Sequence, residues 1–379
     1  MPNNPRDKTI IITSDEPWNE IWMPQLHYAW QLSRRFRVIF LGPPRPWSFS
    51  SLFSFRQNKR TINDSLVVVD YINNLPLSAG KLALYIDDKI NEFFLRKMIP
   101  GDVNPSSLWM WRFDSRRSMH MFRNKNKARQ IYHVIDPVFR TGIDAELTAN
   151  AELVIVTSPR LVDQYNGVHH NVLQIGQGVD LGFYTKGLPV DASILKKSEG
   201  SIILLGTLTD DIDYRFLKRI SEKFSDRNLV LIGPDRVTVP ARREQLDDLL
   251  LKENVYFLGP MPPQAFRKHL ENCAVGIIAY DNQWKEANKL RSPLKAIAYL
   301  AADKCIISNI ECEIPGMIDK GIYVTEDHEH YLMLMEKCFS GKLEFDQAAK
   351  NSFFRSIDYD TLLEQIFKNL GEKLPSPNW

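Results

Sequence analysis

Twice along this chain, strand-length apolar runs alternate with segments of helical spacing, and the alternation breaks once, between residues 176 and 200. The first series has strand-like runs at Thr9–Thr13 (TIIIT), Arg37–Leu41 (RVIFL), Leu66–Val69, Leu108–Trp111, Ile131–Ile135 and Leu153–Val156. Helices fit at 23–33, where Leu26 and Trp30 share a face, and at 87–98, 114–122, 144–150 and 159–165. The second series has strands at Ile202–Leu205, Leu229–Ile232, Val255–Leu258, Val275–Tyr280 and Cys305–Ser308, with helices at 214–224, 263–272, 293–302 and a last one at 359–370. Several runs stop on Gly-Pro, as at Gly42-Pro43, Gly233-Pro234 and Gly259-Pro260, residues that end a strand sharply. Near-continuous apolar strands separated by helices predict parallel sheets covered on both faces. Two series predict two such sheets.

The length, 379 residues, agrees with two domains of roughly 100–200 residues each. The expected division is 1–185, 186–355 and a C-terminal helical segment 356–379, with the Gly- and turn-rich stretch 176–200 as linker. A composition of 44% hydrophobic and 25% charged residues without low-complexity tracts excludes a disordered or fibrous chain. No run of 18 apolar residues predicts a transmembrane helix, and MPNNPRDKTIIIT lacks the long apolar core of a secretory signal, so a cytoplasmic location is expected. Cys273, Cys305, Cys312 and Cys338 show no CxxC spacing and read as reduced thiols.

Charge is uneven. Residues 1–140 hold 21 Lys/Arg against 12 Asp/Glu, although the whole chain carries only +2. A basic first half points to an anionic partner. Part of that charge lies in the run from Arg112 to Arg129, read as a solvated helix face or an anion-binding patch. Between Pro43 and Arg56, Trp47, Phe49, Phe53 and Phe55 sit among Pro and Ser. That segment either packs on its own domain or dips into a bilayer interface, with Trp47 at headgroup depth and nearby cations on anionic lipid. No other feature matches a nucleic-acid module, so no nucleic-acid partner is expected.

Three apparent motifs carry little. Gly176-Gln-Gly178-Val-Asp180-Leu-Gly182 is not followed by the helix that a dinucleotide fingerprint needs. Glu326-Asp-His-Glu-His330 has no zinc spacing and reads as a polar helix start. The triplets Asp211-Ile-Asp213 and Asp358-Tyr-Asp360 each precede a helix and read as caps. Two positions carry more. Asp136 closes an apolar strand, where it either caps the turn into Pro137 or acts as a general base for an acceptor hydroxyl; His133, within the strand, is the weaker candidate. Lys295 lies in the first turn of a helix starting near Pro293. A cation opposes the helix dipole there, unless an anion sits between the lysine and the free N–H groups.

Several stretches resemble one family. They are Trp18-Asn-Glu-Ile-Trp22-Met-Pro24-Gln25, Tyr132-His-Val-Ile-Asp136, Gly178-Val179-Asp180 with Tyr184, Leu205-Gly206-Thr207-Leu208, Leu231-Ile232-Gly233-Pro234 and Asn254-Val-Tyr-Phe-Leu258-Gly259. The most specific is Pro293, Lys295, Tyr299, Leu300, Ala301 and Ser308, which matches P-x-K-x-x-E-Y-L-A-x-G-x-P-V-V-S with Ala298 for Glu, Asp303 for Gly and Cys305 for Pro. From about residue 9 to 370 the chain is similar to bacterial GT-B glycosyltransferases that build capsular, exopolysaccharide or lipid-linked glycans.

The resemblance implies an α/β GT-B fold, two Rossmann-like parallel-sheet domains facing a cleft. The first would hold the acceptor, with Trp18, Trp47 and Phe53 on the acceptor or membrane side, and the last helix would return to brace it. The second would hold a nucleotide-diphosphate sugar, UDP-linked, as substrate rather than cofactor. Gly206, Thr207, Ser292 and Lys295 would line the diphosphate, Pro260 and Met261 the base, and Glu286 or Asn288 the ribose that Ala298 cannot hold. Asp136 would be the base of an inverting reaction, with no obligatory metal, because a lysine and a helix N-terminus can neutralise the leaving diphosphate. A location on the inner face of the membrane follows. The alternatives are a catalytically inactive GT-B partner subunit and sugar-nucleotide epimerisation.

Overall fold

The computed structural model describes residues 8–19, 23–45, 58–71, 80–97, 107–113, 120–122, 128–135, 142–180, 191–281, 294–312 and 314–377. Contacts divide the chain into two units, Met1–Gly176 with Tyr359–Trp379, and Gln177–Asp358. The division falls at 176/177 and 358/359, against the expected 185/186 and 355/356. The Val179 N–H donates to Ile357 O at 2.9 Å, which ties both ends of the second unit together.

The first unit carries strands β1 (Thr9–Thr13), β2 (Arg37–Leu41), β3 (Asn58–Asn63), β4 (Leu66–Asp70), β5 (Leu108–Phe113), β6 (Arg129–Val134), β7 (Leu153–Val156) and β8 (Val172–Gln174). Among them run helices α1 (Pro24–Ser33), α2 (Gly80–Arg96), α3 (Gly142–Asn150) and α4 (Pro159–Asn166). The sheet order is β3-β4-β2-β1-β5-β6-β7-β8, parallel throughout except for the β3/β4 hairpin. Alternation explains the apolar runs. Ile10, Ile12, Val38, Phe40, Trp109 and Trp111 face one core, while Ile11, Ile39, Leu41 and Met110 face the other.

Three expectations need correction. Strand β3 (NKRTIN) is polar and almost wholly exposed; with neither face of this edge strand buried, no apolar period marks it, and its Lys59 and Arg60 discourage further pairing. Helix α2 begins at Gly80, not 87. The expected helix at 114–122 is a turn over 120–122, with Phe122 at φ 52°; the rest lies outside the described residues. The two ends of the basic run are structural. Arg112, in β5, is buried and donates to Met121 O at 2.8 Å. Arg129, in β6, pairs with Glu152 and, at 2.8 Å, with Glu372.

The second unit holds β9 (Ile202–Leu205), β10 (Leu229–Ile232), β11 (Val255–Phe257), β12 (Val275–Ile278), β13 (Ile306–Ser308) and β14 (Ile322–Val324). Its helices are α5 (Ala192–Lys196), α6 (Tyr214–Lys223), α7 (Pro240–Leu250), α8 (Pro263–Asn272), α9 (Leu294–Ala301), α10 (His328–Phe339) and α11 (Gln347–Ser356). The sheet order is β11-β10-β9-β12-β13-β14, all parallel. Helix α7 escapes a reading by apolar period because only Leu246 and Leu249 are buried in its charged sequence.

Helix α12 (Tyr359–Asn369) belongs to the first unit. Tyr359, Leu362, Leu363, Ile366 and Phe367 recur at helical spacing and join the core of Trp109 and Phe36. Phe367 stacks on both rings, with centroids at 5.0 and 5.3 Å. The buried Arg35 reaches Asp360 at 2.9 Å and Pro375 O at 2.8 Å. Phe367→Ala is expected to remove about 3–5 kcal/mol of stability, read as a lower urea midpoint; a loss under about 1 kcal/mol would mean the tail is not an integral part of this core.

Candidate functional site

In the second sheet the connections reverse at β9, which lies between β10 and β12. Ligands of open α/β sheets bind outside the carboxyl ends of the strands at such a reversal. Four segments lie at those ends: Gly206-Thr207 after β9, Gly233-Pro234 after β10, Gly259-Pro260-Met261 after β11, and Ala279-Tyr280 after β12.

These segments touch in sequence across the sheet. The Gly233 N–H donates to Gly259 O at 2.9 Å, and the Gly206 N–H donates to Ile232 O at 2.8 Å. Gly206 and Gly233 hold φ of 118° and 147°, which favour glycine. A Cβ on Gly233 would fall 2.1 Å from Gly206 O, and one on Gly206 would fall 3.3 Å from Lys295 Cε. Lys295, in the first turn of α9, is half-buried, with Nζ 4.8 Å from the Tyr280 ring centroid. Among the described residues no carboxylate pairs with it, and none accepts the Thr207 N–H. A cation held on an aromatic face, a free backbone donor and bare glycine backbone together form a place for an anion.

The rest of the motif around Lys295 is structural. The buried Tyr299 accepts the Leu205 N–H at 2.7 Å and donates to Ile203 O at 2.9 Å, filling the gap where β9 and β12 part. Gly276 makes room, since a Cβ there would meet Tyr299 Cδ1 at 2.4 Å. Tyr331 plays the same part between β12 and β13, donating to Ile307 O at 2.6 Å. Asn309 accepts the Tyr280 N–H at 2.9 Å and donates to Tyr280 O at 2.6 Å, which fixes the residue beneath Lys295. Ser308 closes the turn after β13, donating to Ile310 O at 2.6 Å. The partnerships of Tyr299, Tyr331 and Asn309 have no local sequence signal, because each joins segments far apart in the chain.

Two of the three departures from the motif are placed by the structure. Ala298 is buried in the core against α9's own neighbours. Asp303 takes the left-handed turn (φ 58°) that glycine usually supplies after a helix. Its carboxylate accepts from Gln347 at 2.9 Å and from Lys350. Burial raises its pKa, but those two partners outweigh burial and hold it below the usual carboxylate range. Asp303 is therefore a compensated turn residue.

The structure brings Gly206, Thr207 and Lys295 together, with Pro260 and Met261 at the same sheet end. Glu286, Asn288, Ser292, Asp136, Trp47 and Phe53 lie outside the described residues. Trp18 packs edge-on against Phe40 at 5.2 Å. His133 is buried, accepting from Trp111 Nε1 at 3.4 Å, and burial pushes its pKa down to about 3, so it stays neutral at physiological pH. Asp327 caps α10, accepting the His330 N–H at 2.6 Å, and Glu329 pairs with Arg219. Asp213 caps α6, and among the described residues no metal-ligating cluster occurs.

No family model and no curated protein sequence matches the chain. Solved structures do, and they give the fold: two parallel-sheet α/β domains of the GT-B type. The chain is similar to sucrose-phosphate synthase from Thermosynechococcus elongatus, with a TM-score of 0.66 and 12% identity over 96% of this chain and 99% of that one. It is equally similar to Anabaena HepE, solved in complex with UDP and glucose, with a TM-score of 0.66 and 13% identity over 96% and 99%. The lipopolysaccharide outer core galactosyltransferase WaaB matches with a TM-score of 0.57 and 11% identity over 96% and 99%.

Proposed function

We propose that this chain is a glycosyltransferase that moves a sugar from a nucleotide-diphosphate donor, UDP-linked, to a hydroxyl of a glycan or lipid-linked glycan in cell-surface polysaccharide synthesis. The observation that carries this is Lys295, unpaired by carboxylates among the described residues and set beside Gly206 at the reversal of a parallel sheet. In the proposal the Lys295 ammonium and the Thr207 N–H take the diphosphate, and their charge stabilises it as a leaving group without a metal. Pro260 and Met261 approach the base. Since residue 298 is an alanine, Glu286 or Asn288 holds the ribose. Asp136, two residues beyond β6, takes the acceptor proton. The UDP-bound HepE and the galactosyltransferase WaaB support the donor class and the pathway by analogy of fold.

Calorimetric titration of UDP in the presence of EDTA tests the reading. One saturable site per chain is expected. No heat of binding for UDP or any other nucleoside diphosphate at millimolar concentration would sink it and leave the inactive-subunit reading. Binding that vanishes with EDTA would remove the metal-free mechanism.

A further inference from the structure

Helix α2 turns an apolar stripe outward. Tyr85 and Ile86 lie three and four residues after Leu82, and Phe93 seven after Ile86, which places all four on one helix face, and they remain 70% (Leu82), 47% (Tyr85), 39% (Ile86) and 57% (Phe93) exposed. Lys89, Arg96 and Lys97 fall on the same face. Lys97 Nζ lies 4.5 Å from the Phe93 ring centroid and Lys89 Nζ 5.8 Å from that of Tyr85. The helix's carboxylates point the other way: Asp87, Asp88 and Glu92 are buried. Asp88 accepts the His120 N–H at 2.8 Å, and Glu92 accepts the Phe122 N–H at 3.0 Å. These carboxylates, with the buried Ala83 and Leu95 beside them, fasten α2 to its unit. Glu92 also pairs with two of these cations, Lys89 at 2.8 Å and Arg96; Lys89 further donates to His120 O at 3.0 Å and Arg96 lies over the Phe122 ring. Lys97 has no carboxylate partner among the described residues, and three cations against one carboxylate leave the face net positive.

Large apolar groups in a stripe, cations among them and acids withdrawn are the arrangement of a helix that lies in the headgroup region of a bilayer. The aromatic rings suit that depth, and the lysine and arginine stems can bury along the stripe while their charges meet anionic headgroups. We propose that this face of α2 is a docking surface for an anionic membrane. Charge disfavours a second copy as the occupant, since a two-fold packing centred on the stripe sets Lys89 against Lys89. No helix among the described residues is long and apolar enough to cross a membrane, so the contact would be peripheral. It uses a segment other than Trp47 and Phe53 and does not rest on the nucleotide reading.

Co-sedimentation of the full chain with phosphatidylcholine vesicles, with and without phosphatidylglycerol, tests it. The wild type is expected to bind the anionic vesicles, less so as salt rises. The Leu82→Ser, Phe93→Ser double variant is expected to lower the bound fraction at least about tenfold, with an unchanged melting temperature because both side chains are exposed. Lys97→Glu is expected to weaken binding to anionic vesicles only. Failure of the wild type to bind, equal binding by the double variant, or equal binding to neutral vesicles would overturn the proposal. So would a concentration-dependent dimer in sedimentation velocity that the double variant abolishes, which would assign the face to a second copy.

Discussion

Lys295→Ala is expected to weaken UDP binding about ten- to a hundredfold while leaving the second unit folded. The size follows from one hydrogen bond to a charged group, ~1.5–3 kcal/mol, and from the tenfold change in affinity per ~1.4 kcal/mol. Stability should hardly move. The ammonium has no carboxylate partner among the described residues, and its contact with the Tyr280 ring is worth about 0.5–1 kcal/mol at a partly exposed site. Lys295→Met keeps the stem against Tyr280 and removes only the charge. It should lose affinity to the same degree, which separates electrostatics from packing. Titration of UDP into each variant reads the effect. Affinity equal to wild type in both would remove Lys295 from the site while leaving the fold assignment untouched.

A second large effect is expected at Gly233, where the sheet and the site meet. Gly233→Ala puts a methyl 2.1 Å from Gly206 O and 2.5 Å from Gly206 C, on a backbone at φ 147°. The atoms it meets are backbone, which cannot rotate away. Relief requires shifting the Gly206-Thr207 turn and straining the bonds from Gly206 N–H to Ile232 O and from Gly233 N–H to Gly259 O. The expected loss is about 3 kcal/mol or more, together with loss of nucleotide binding because the turn beside Lys295 moves. Gly259→Ala is the control. Its φ is 72° and no atom lies within 4 Å of the added methyl, so only the left-handed backbone cost of about 1–2 kcal/mol applies. Urea unfolding of the two variants decides: equal stabilities would mean that the 206–233 approach does not constrain the turn.

The alternating apolar runs were enough to read the buried central strands of both sheets, because a strand buried on both faces must be apolar along its whole length; the partly exposed edge strand β8 went unread. Helix α12 was legible from Leu362, Leu363 and Ile366 at helical spacing. Strand β3 and helix α7 were not, since an exposed edge strand and a charged helix with two buried leucines leave no apolar period. Lys295 stood out locally as a cation at the wrong end of a helix. Its surroundings did not. Tyr280, Gly206 and Gly233 come together only when β12, β9 and β10 pair, and nothing within any one of those segments encodes the pairing partner.

The same limit holds for α2. By itself the sequence places a helix only at 87–98, and the structure extends it back to Gly80; helical spacing then puts an apolar stripe on one side and carboxylates on another, and the ordinary expectation is that the apolar side goes in. The tertiary structure decides otherwise. The turn at 120–122 presents the backbone N–H groups of His120 and Phe122, and Asp88 and Glu92 accept them. Buried backbone donors need acceptors, so the carboxylates are drawn inward and Leu82, Tyr85 and Phe93 are left facing out. Periodicity fixes which residues share a face; the hydrogen bonds of a distant turn, together with the packing of Leu95 against Met121 and Phe122, decide which face is buried.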